Sequence, residues 1–221
     1  MLPSTLQELV RGVYDDRHLS ERSSLEQVVR WGSMAISMDM DETTREEILS
    51  LVARSQSRLH DKAGAEATLR LMDERLYRSR HYVRAFHIRK TGGDLKKAVT
   101  LLLKARDVRK YLRSVIVDLG LCYYDLGYLD ELSDLFKDQA EYLDGNPAML
   151  DIQAAVLIGN GDISGAERVI EKMRQNRDDG RADCRTALLL VHKASPDYRA
   201  AQGLLTEVLQ RGTRGSCRRG G

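Results

Sequence analysis

Gly93-Asp94-Leu95-x-x-Ala98-x-x-x-Leu102, Gly127-Tyr128-Leu129-x-x-Leu132-x-x-x-Phe136 and Gly161-Asp162-Ile163-x-x-Ala166-x-x-x-Ile170 are one phrase written three times, each copy thirty-four residues after the last. A looser copy follows at a step of thirty-five: Pro196-Asp197-Tyr198-x-x-Ala201-x-x-x-Leu205. A fixed period of that size belongs to stacked two-helix units, none of which buries its apolar face alone. The expected fold is therefore all-α, a right-handed α-solenoid of stacked antiparallel helix hairpins. Ala98, Leu102, Leu119, Leu132, Phe136, Ala166 and Ile170 are its expected packing residues.

Working outward, the breakers set the helix bounds. Turns fall at Gly92-Gly93, Gly127, Gly145-Asn146-Pro147, Gly159-Asn160-Gly161, Asp178-Asp179-Gly180 and Ser195-Pro196, as the conformational freedom of Gly and the rigidity of Pro require. Helices are expected near 80–91, 94–108, 111–126, 128–140, 147–160, 162–176, 182–194 and 197–210. Upstream, 43–78 reads as a hairpin outside the strict register, its first helix capped by Thr43 or Thr44. Residues 1–42 read as N-terminal helices, with Trp31 packed between them, and 43–210 as the repeat array of about five hairpins. Residues 211–221, basic and without apolar positions, read as a flexible tail. Nothing alternates with strand periodicity.

Leu119-Gly120-x-x-Tyr123, followed by Gly127, Leu132 and Phe136, resembles the tetratricopeptide repeat. The likeness is good over 111–144, fair over 79–110 and 145–179, and weak over 180–210. Ala85-Phe86 stands where Leu-Gly belongs, Leu132 replaces a small residue, and the closing Pro is displaced to Pro147. The period by itself gives a helical-hairpin array and leaves other helical-repeat families open.

Composition narrows the class. Hydrophobic residues make up 42% of the 221, enough for a core, but aromatics only 5%, which suits close packing by small and aliphatic side chains. Net charge is +2, so no global bias points to nucleic acid. Cys122, Cys184 and Cys217 are scattered without a CxxC, so a reducing, cytoplasmic setting is the expectation. No apolar run approaches the ~20 residues of a membrane span, and no signal-peptide pattern opens the chain. His18, His60, His81, His87 and His192 show no metal-ligand spacing, no P-loop is present, and no nucleophile–base constellation stands out. The chain reads as non-enzymatic, with no cofactor and no metal.

Charge is informative by region. From Arg78 to Arg113 there are twelve Lys or Arg against Asp94 and Asp107; from Tyr128 to Asp144 there are six acids against Lys137. Arg80, Arg84, His87 and Thr91 share one helical face, with Lys90 beside it. The family resemblance implies that first helices of hairpins line a concave groove. It then places Arg80, Arg84, His87 and Lys90 in that groove, where family members clamp a peptide's terminal carboxylates. Asp118 stands one repeat on from Arg84, and a simple ion pair between those two is the competing reading. Val83, Val117, Leu121, Tyr124, Ile152 and Ala155 would supply an apolar floor. The expected role is to bind a protein or peptide partner, an acidic one if the Arg-rich patch is used.

Two alternatives stay open. One is a nucleic-acid-binding repeat, with Arg78–Arg113 and the Arg-rich tail tracking phosphates; the near-zero net charge and the acidic stretch beside the basic one argue against it, and Tyr111, Tyr123, Tyr124, Tyr128 and Tyr142, which could stack on bases, read better as packing residues. The other is the sensor region of a larger switch ATPase or transcriptional regulator, which Leu2-Pro3-Ser4-Thr5-Leu6-Gln7-Glu8-Leu9 resembles. Leu204, Leu205 and Val208 would leave apolar surface on the last repeat, a route to a homo-oligomer.

Overall fold

The structure, a computed structural model, describes residues 22–143, 145–176 and 178–217, with side chains as far as Arg211. The segment Leu2–Leu9, which carries the sensor resemblance, lies outside the described residues, as do His18 and the rest of 1–21 in the expected N-terminal helices. Among the described residues there are twelve α-helices and no strand. They are α1 (Arg22–Ile36), α2 (Glu42–Arg58), α3 (Lys62–Glu74), α4 (Arg80–Lys90), α5 (Leu95–Lys104), α6 (Leu112–Leu126), α7 (Leu129–Asp138), α8 (Ala140–Leu143), α9 (Pro147–Gly159), α10 (Ile163–Gln175), α11 (Asp179–His192) and α12 (Tyr198–Cys217). A 3₁₀ turn, Arg109–Tyr111, leads into α6.

The chain divides into two compact units, meeting in sequence between Leu126 and Gly127. In the first, α2 packs on α1, α3 and α4, and α4 in turn on α3, α5 and α6. In the second, α9 packs on α10 and α11, α10 on α11, and α11 on α12. α2, α4 and α9 thus each touch both the next helix and the next but one, the contact pattern of helical-repeat packing.

The repeated phrase is explained by its backbone. Gly92, Gly127 and Gly161 take φ of +69°, +72° and +76°, a left-handed conformation that ends the preceding helix and that only Gly adopts without strain. After Gly127 the cap position is Tyr128, without a side-chain cap; in the other copies aspartate caps the next helix. Asp94 accepts from the backbone N–H groups of Lys96 and Lys97, Asp162 from Gly165, and Asp197 from Ala200. Four residues after each of these caps sits a buried alanine: Ala98, Ala166, Ala201.

The same phrase is present once more, thirty-three residues before Asp94, with the glycine missing: His60-Asp61-x-x-x-Ala65-x-x-x-Leu69. Asp61 caps through Gly64 N–H at 3.0 Å, and Ala65 and Leu69 are fully buried. His60 holds φ +60°, doing glycine's work at the cost of strain. The 43–78 hairpin thus carries the phrase one residue short of the strict step. Its first helix is capped by Asp41, which accepts from Thr44 N–H at 2.9 Å and from the Thr44 hydroxyl, and not by Thr43 or Thr44.

Other expectations resolve individually. Ala98, Leu102, Leu119, Leu132, Ala166 and Ile170 are buried. Phe136 is only half-buried and lines a cavity of about 190 Å³ with Leu143 and Met149. Trp31 packs against the Ala35–Ile48–Val52 cluster joining α1 to α2. There the helices are so close that a Cβ on Gly32 would meet Val52 Cγ2 at 2.2 Å. Residues 211–217 are helical, continuing α12, where the sequence reads as tail. Arg211 anchors that continuation through Asp183 on α11 and Glu207, each at 2.9 Å.

His60→Gly should raise stability by about 0.5–1 kcal/mol, because a side chain in the left-handed region costs about 1–2 kcal/mol and the more flexible unfolded glycine returns part of it. Denaturant unfolding of both proteins checks this; loss of stability in the variant would mean that the His60 side chain makes contacts worth more than its strain.

Candidate functional site

Arg80, Arg84 and His87 do share a helical face, but that face is turned toward α3 and the turn before α4. Arg80 donates to the carbonyls of Leu76 and Tyr77 at 2.6 and 2.7 Å, closing the α3–α4 turn. Arg84 pairs with Asp73 at 2.5 Å and with Glu66 at 3.3 Å, both on α3. Its expected pairing with Asp118 is replaced by these two. Burial then explains His87. The Ser57 hydroxyl donates to the Ala53 carbonyl at 2.7 Å, which leaves Nδ1 of His87 as the donor in their 3.0 Å contact; its Nε2 faces Glu66 at 3.5 Å. Desolvation lowers the His87 pKa, against a raising effect of Glu66.

Asp118 is 6% exposed and pairs with Arg89 at 2.9 Å. Arg84 and Asp118, thirty-four residues apart, thus both turn toward the preceding repeat, one to α3 and the other to α4. Burial pushes the Asp118 carboxyl pKa up, while Arg89, Lys90 and Arg54 pull it down. Of the apolar floor, Val83 and Ile152 are core residues, while Val117, Leu121 and Ala155 are half-buried and Tyr124 is 38% exposed.

What the sequence reading missed is the neighbouring stripe. On α2, Glu47, Leu51, Arg54 and Arg58 follow helical spacing and none is fully buried. The Arg54 guanidinium lies over the rings of Tyr82 and Phe86, 5.4 and 5.5 Å from their centroids. Lys90, exposed, lies over Phe86 at 5.6 Å. Tyr82 stacks on Tyr111 with centroids 5.0 Å apart, and Lys110, over the Tyr111 ring, pairs with Glu47. A cavity of about 340 Å³ opens beside this ladder, lined by Glu46, Glu47, Arg78, Lys110 and Tyr111 among others. The face shared by α2, α4 and α6 is thus cationic over an aromatic bed. The ring faces hold Arg54 and Lys90 in place, since a π-face attracts a cation by about 0.5–2 kcal/mol.

Why this stripe and not the predicted one is a matter of partners. Periodicity shows that Arg80, Arg84 and His87 are on one face; it does not show that Glu66 and Asp73 wait for them on α3. Lys90 alone of the predicted cations lies on the open stripe.

Elsewhere, Cys122 is buried, and burial raises its thiol pKa to about 11, so it is unreactive. No group of three His, Cys, Asp or Glu among the described residues is placed to hold a metal ion. No helix among them is long and apolar enough to cross a membrane. On α12, Tyr198, Leu205 and Leu209 are exposed, while Leu204 and Val208 are half-buried. Compared with protein-family models, curated proteins and solved structures, the chain finds no match.

Arg84→Ala should lower stability by about 1–2 kcal/mol, the range for a partly buried charge-assisted pair, and a double-mutant cycle with Asp73→Ala should show coupling. Purely additive losses would remove the assigned pairing. The pH response follows from His87 and from His81, whose pKa is lowered by burial, then by Arg80 and Lys104. A histidine with a depressed folded pKa contributes stability above its unfolded value of about 6.5 and loses it as pH falls below that. The melting temperature should therefore drop between pH 7.5 and 5.5. His81→Asn with His87→Asn should flatten that drop; an unchanged slope would assign it to other groups.

Proposed function

We propose that the chain is a non-enzymatic interaction module: a right-handed α-solenoid of tetratricopeptide-like hairpins that binds an acidic partner polypeptide on the face shared by α2, α4 and α6. A cytoplasmic scaffold is the setting that goes with this reading. The observation that carries it is the ladder of Arg54, Lys90 and Lys110 over Tyr82, Phe86 and Tyr111. Aromatic beds hold these cations in fixed positions, so less side-chain entropy is lost when an anion arrives. Arg adds a planar fork suited to carboxylates. The half-buried Val117 and Leu121 and the exposed Tyr124 supply apolar contact beside the charges.

Charge complementarity selects the occupant. A basic ladder with apolar flanks fits a polypeptide carrying carboxylates and hydrophobic side chains. Nucleic acid fits less well, because a phosphate backbone favours cations along its whole track, and the acidic residues of 128–144 interrupt any such track in the sequence.

Binding of a fluorescent polyglutamate peptide, measured by anisotropy against a single-stranded RNA of equal charge, tests this. The peptide should bind, and Lys90→Glu should weaken it at least tenfold, about 1.4 kcal/mol, with helicity by circular dichroism unchanged. Tighter binding of the RNA, or a Lys90→Glu protein that binds as before, would overturn the reading.

A further inference from the structure

The outer face of α5 carries lysines that the helix itself does not call for. Lys96, Lys97, Thr100 and Lys104 fall within an arc of about 100°, and all four are exposed. No acid stands in α5. Asp94, at its start, is engaged by the backbone N–H groups of Lys96 and Lys97, and the Thr100 hydroxyl donates to the Lys96 carbonyl at 3.1 Å. The helices packed on α5 are α4 and α6. α4 has no acid; of the two on α6, Asp118 pairs with Arg89 and Asp125 is exposed. Beyond Lys104 the turn adds the exposed Arg106 and Arg109 against Asp107. Lys96, Lys97 and Lys104 have no ion-pair partner among the described residues. Lys96 and Lys97 moreover stand in the first turn of their helix, where the positive end of the peptide dipole disfavours a cation. The stability of α5 does not explain them.

One period on, the same positions are acidic. Thirty-four residues after Lys96, Lys97, Thr100 and Lys104 come Asp130, Glu131, Asp134 and Asp138, on one face of α7 and all exposed. Lys137 is the one cation of that helix, and it pairs with Asp134 at 3.2 Å. Asp130, Glu131 and Asp138 have no ion-pair partner among the described residues. We infer that the lysine face of α5 is a docking surface for a second copy of this chain, whose α7 face occupies it. This face is separate from the α2–α4–α6 ladder and stands independently of the function proposed for it. Charge complementarity names the occupant: both sets span about 12 Å of helix, with opposite charges at matching places. An antiparallel approach brings Lys104 to Asp130 and Glu131, and brings Lys96 and Lys97 to Asp138. It also sets the positive end of α5 against the negative end of α7, relieving the dipole penalty on the two lysines. RNA or a lipid headgroup would meet the lysines as well, but neither accounts for acids at the same spacing on α7. Single exposed pairs are weak and screened by salt, so the surface works as a set and at low ionic strength. The contact joins two different faces, so assembly either closes on itself or adds further copies.

Sedimentation velocity of the full chain, over a range of concentrations and at low and moderate salt, reads the association. The unmodified chain should self-associate at low salt, and moderate salt should weaken that by about tenfold or more. Reversing the lysine set (Lys96→Glu, Lys97→Glu and Lys104→Glu together) should leave a monomer of unchanged helicity. Reversing the acid set (Asp130→Lys, Glu131→Lys and Asp138→Lys together) should do the same. Mixed, the two reversed proteins should associate again, since each face of one then meets the opposite charge on the other. Where the acid-reversed protein is poorly folded, the neutral set Asp130→Asn, Glu131→Gln and Asp138→Asn replaces it. That protein should also be monomeric alone and should join the lysine-reversed protein through its intact α5 face. An unmodified chain that stays monomeric at low salt would overturn the inference, whether or not its lysines then bind RNA or an anionic vesicle. Self-association that survives both reversals, or altered proteins that stay apart when mixed, would overturn it too.

Discussion

A helical hairpin of this chain buries its apolar stripe only against another hairpin, and the whole structure is arranged around making that approach close. The devices are small. An aspartate satisfies the first free N–H groups of a helix, and a residue in the left-handed conformation stops the helix before it. Four positions after the cap, alanine lets the neighbouring helix come near. Ala65, Ala98, Ala166 and Ala201 are all at most 4% exposed. A larger side chain there would hold the hairpins apart and open space that packed interiors do not tolerate. With few aromatics to fill gaps, the chain depends on closeness rather than bulk.

That dependence explains where charged residues end up. Helices that lie close cannot separate polar positions from each other, so charges on facing stripes meet as pairs. Arg84 with Glu66 and Asp73, Arg89 with Asp118, and Arg185 with Asp151 at 2.7 and 3.0 Å are contacts of this kind, each between helices of adjacent hairpins. Glu46 extends the same principle to the backbone, accepting from the N–H and hydroxyl of Ser79 to close the start of α4. Such pairs are weak sources of net stability, because desolvation offsets most of the attraction. They do fix which hairpin follows which, since a mismatched neighbour would leave a partly buried charge alone.

The helices and their breaks were legible in the sequence because their causes are local. Gly127, Gly161, Asp94 and Asp162 act within four residues of themselves, so their meaning survives in one dimension. His60 hid a copy of the phrase: a histidine in a glycine's position breaks the pattern by letter while keeping it by conformation. Phe136 misled because a residue at a packing position of the period was taken to be enclosed, whereas a cavity lies beside it. The candidate site was harder to read for a reason of the same kind. Which stripe of α4 faces water depends on Glu66 and Asp73, eighteen and eleven residues before Arg84 on another helix, and nothing in the Arg80–Arg84–His87 spacing announces them. Arg54 and Arg58 went unnoticed because their helix carries no excess of basic residues; they matter only beside Lys90.

The positive stripe on α2 and α4 is the one whose cations lie against ring faces. Across the α3–α4 contact, Arg84 faces two carboxylates. Across the α4–α6 contact, Asp118 answers several cations at once. There Arg54 and Lys90 lie over ring faces, and a buried Arg89 N–H lacks an acceptor. A buried donor without an acceptor raises the free energy of the unbound protein, and an anion that accepts from it lowers it again. The same unmet donor that weakens the fold at this point is thus a source of any affinity the face has for an anionic partner.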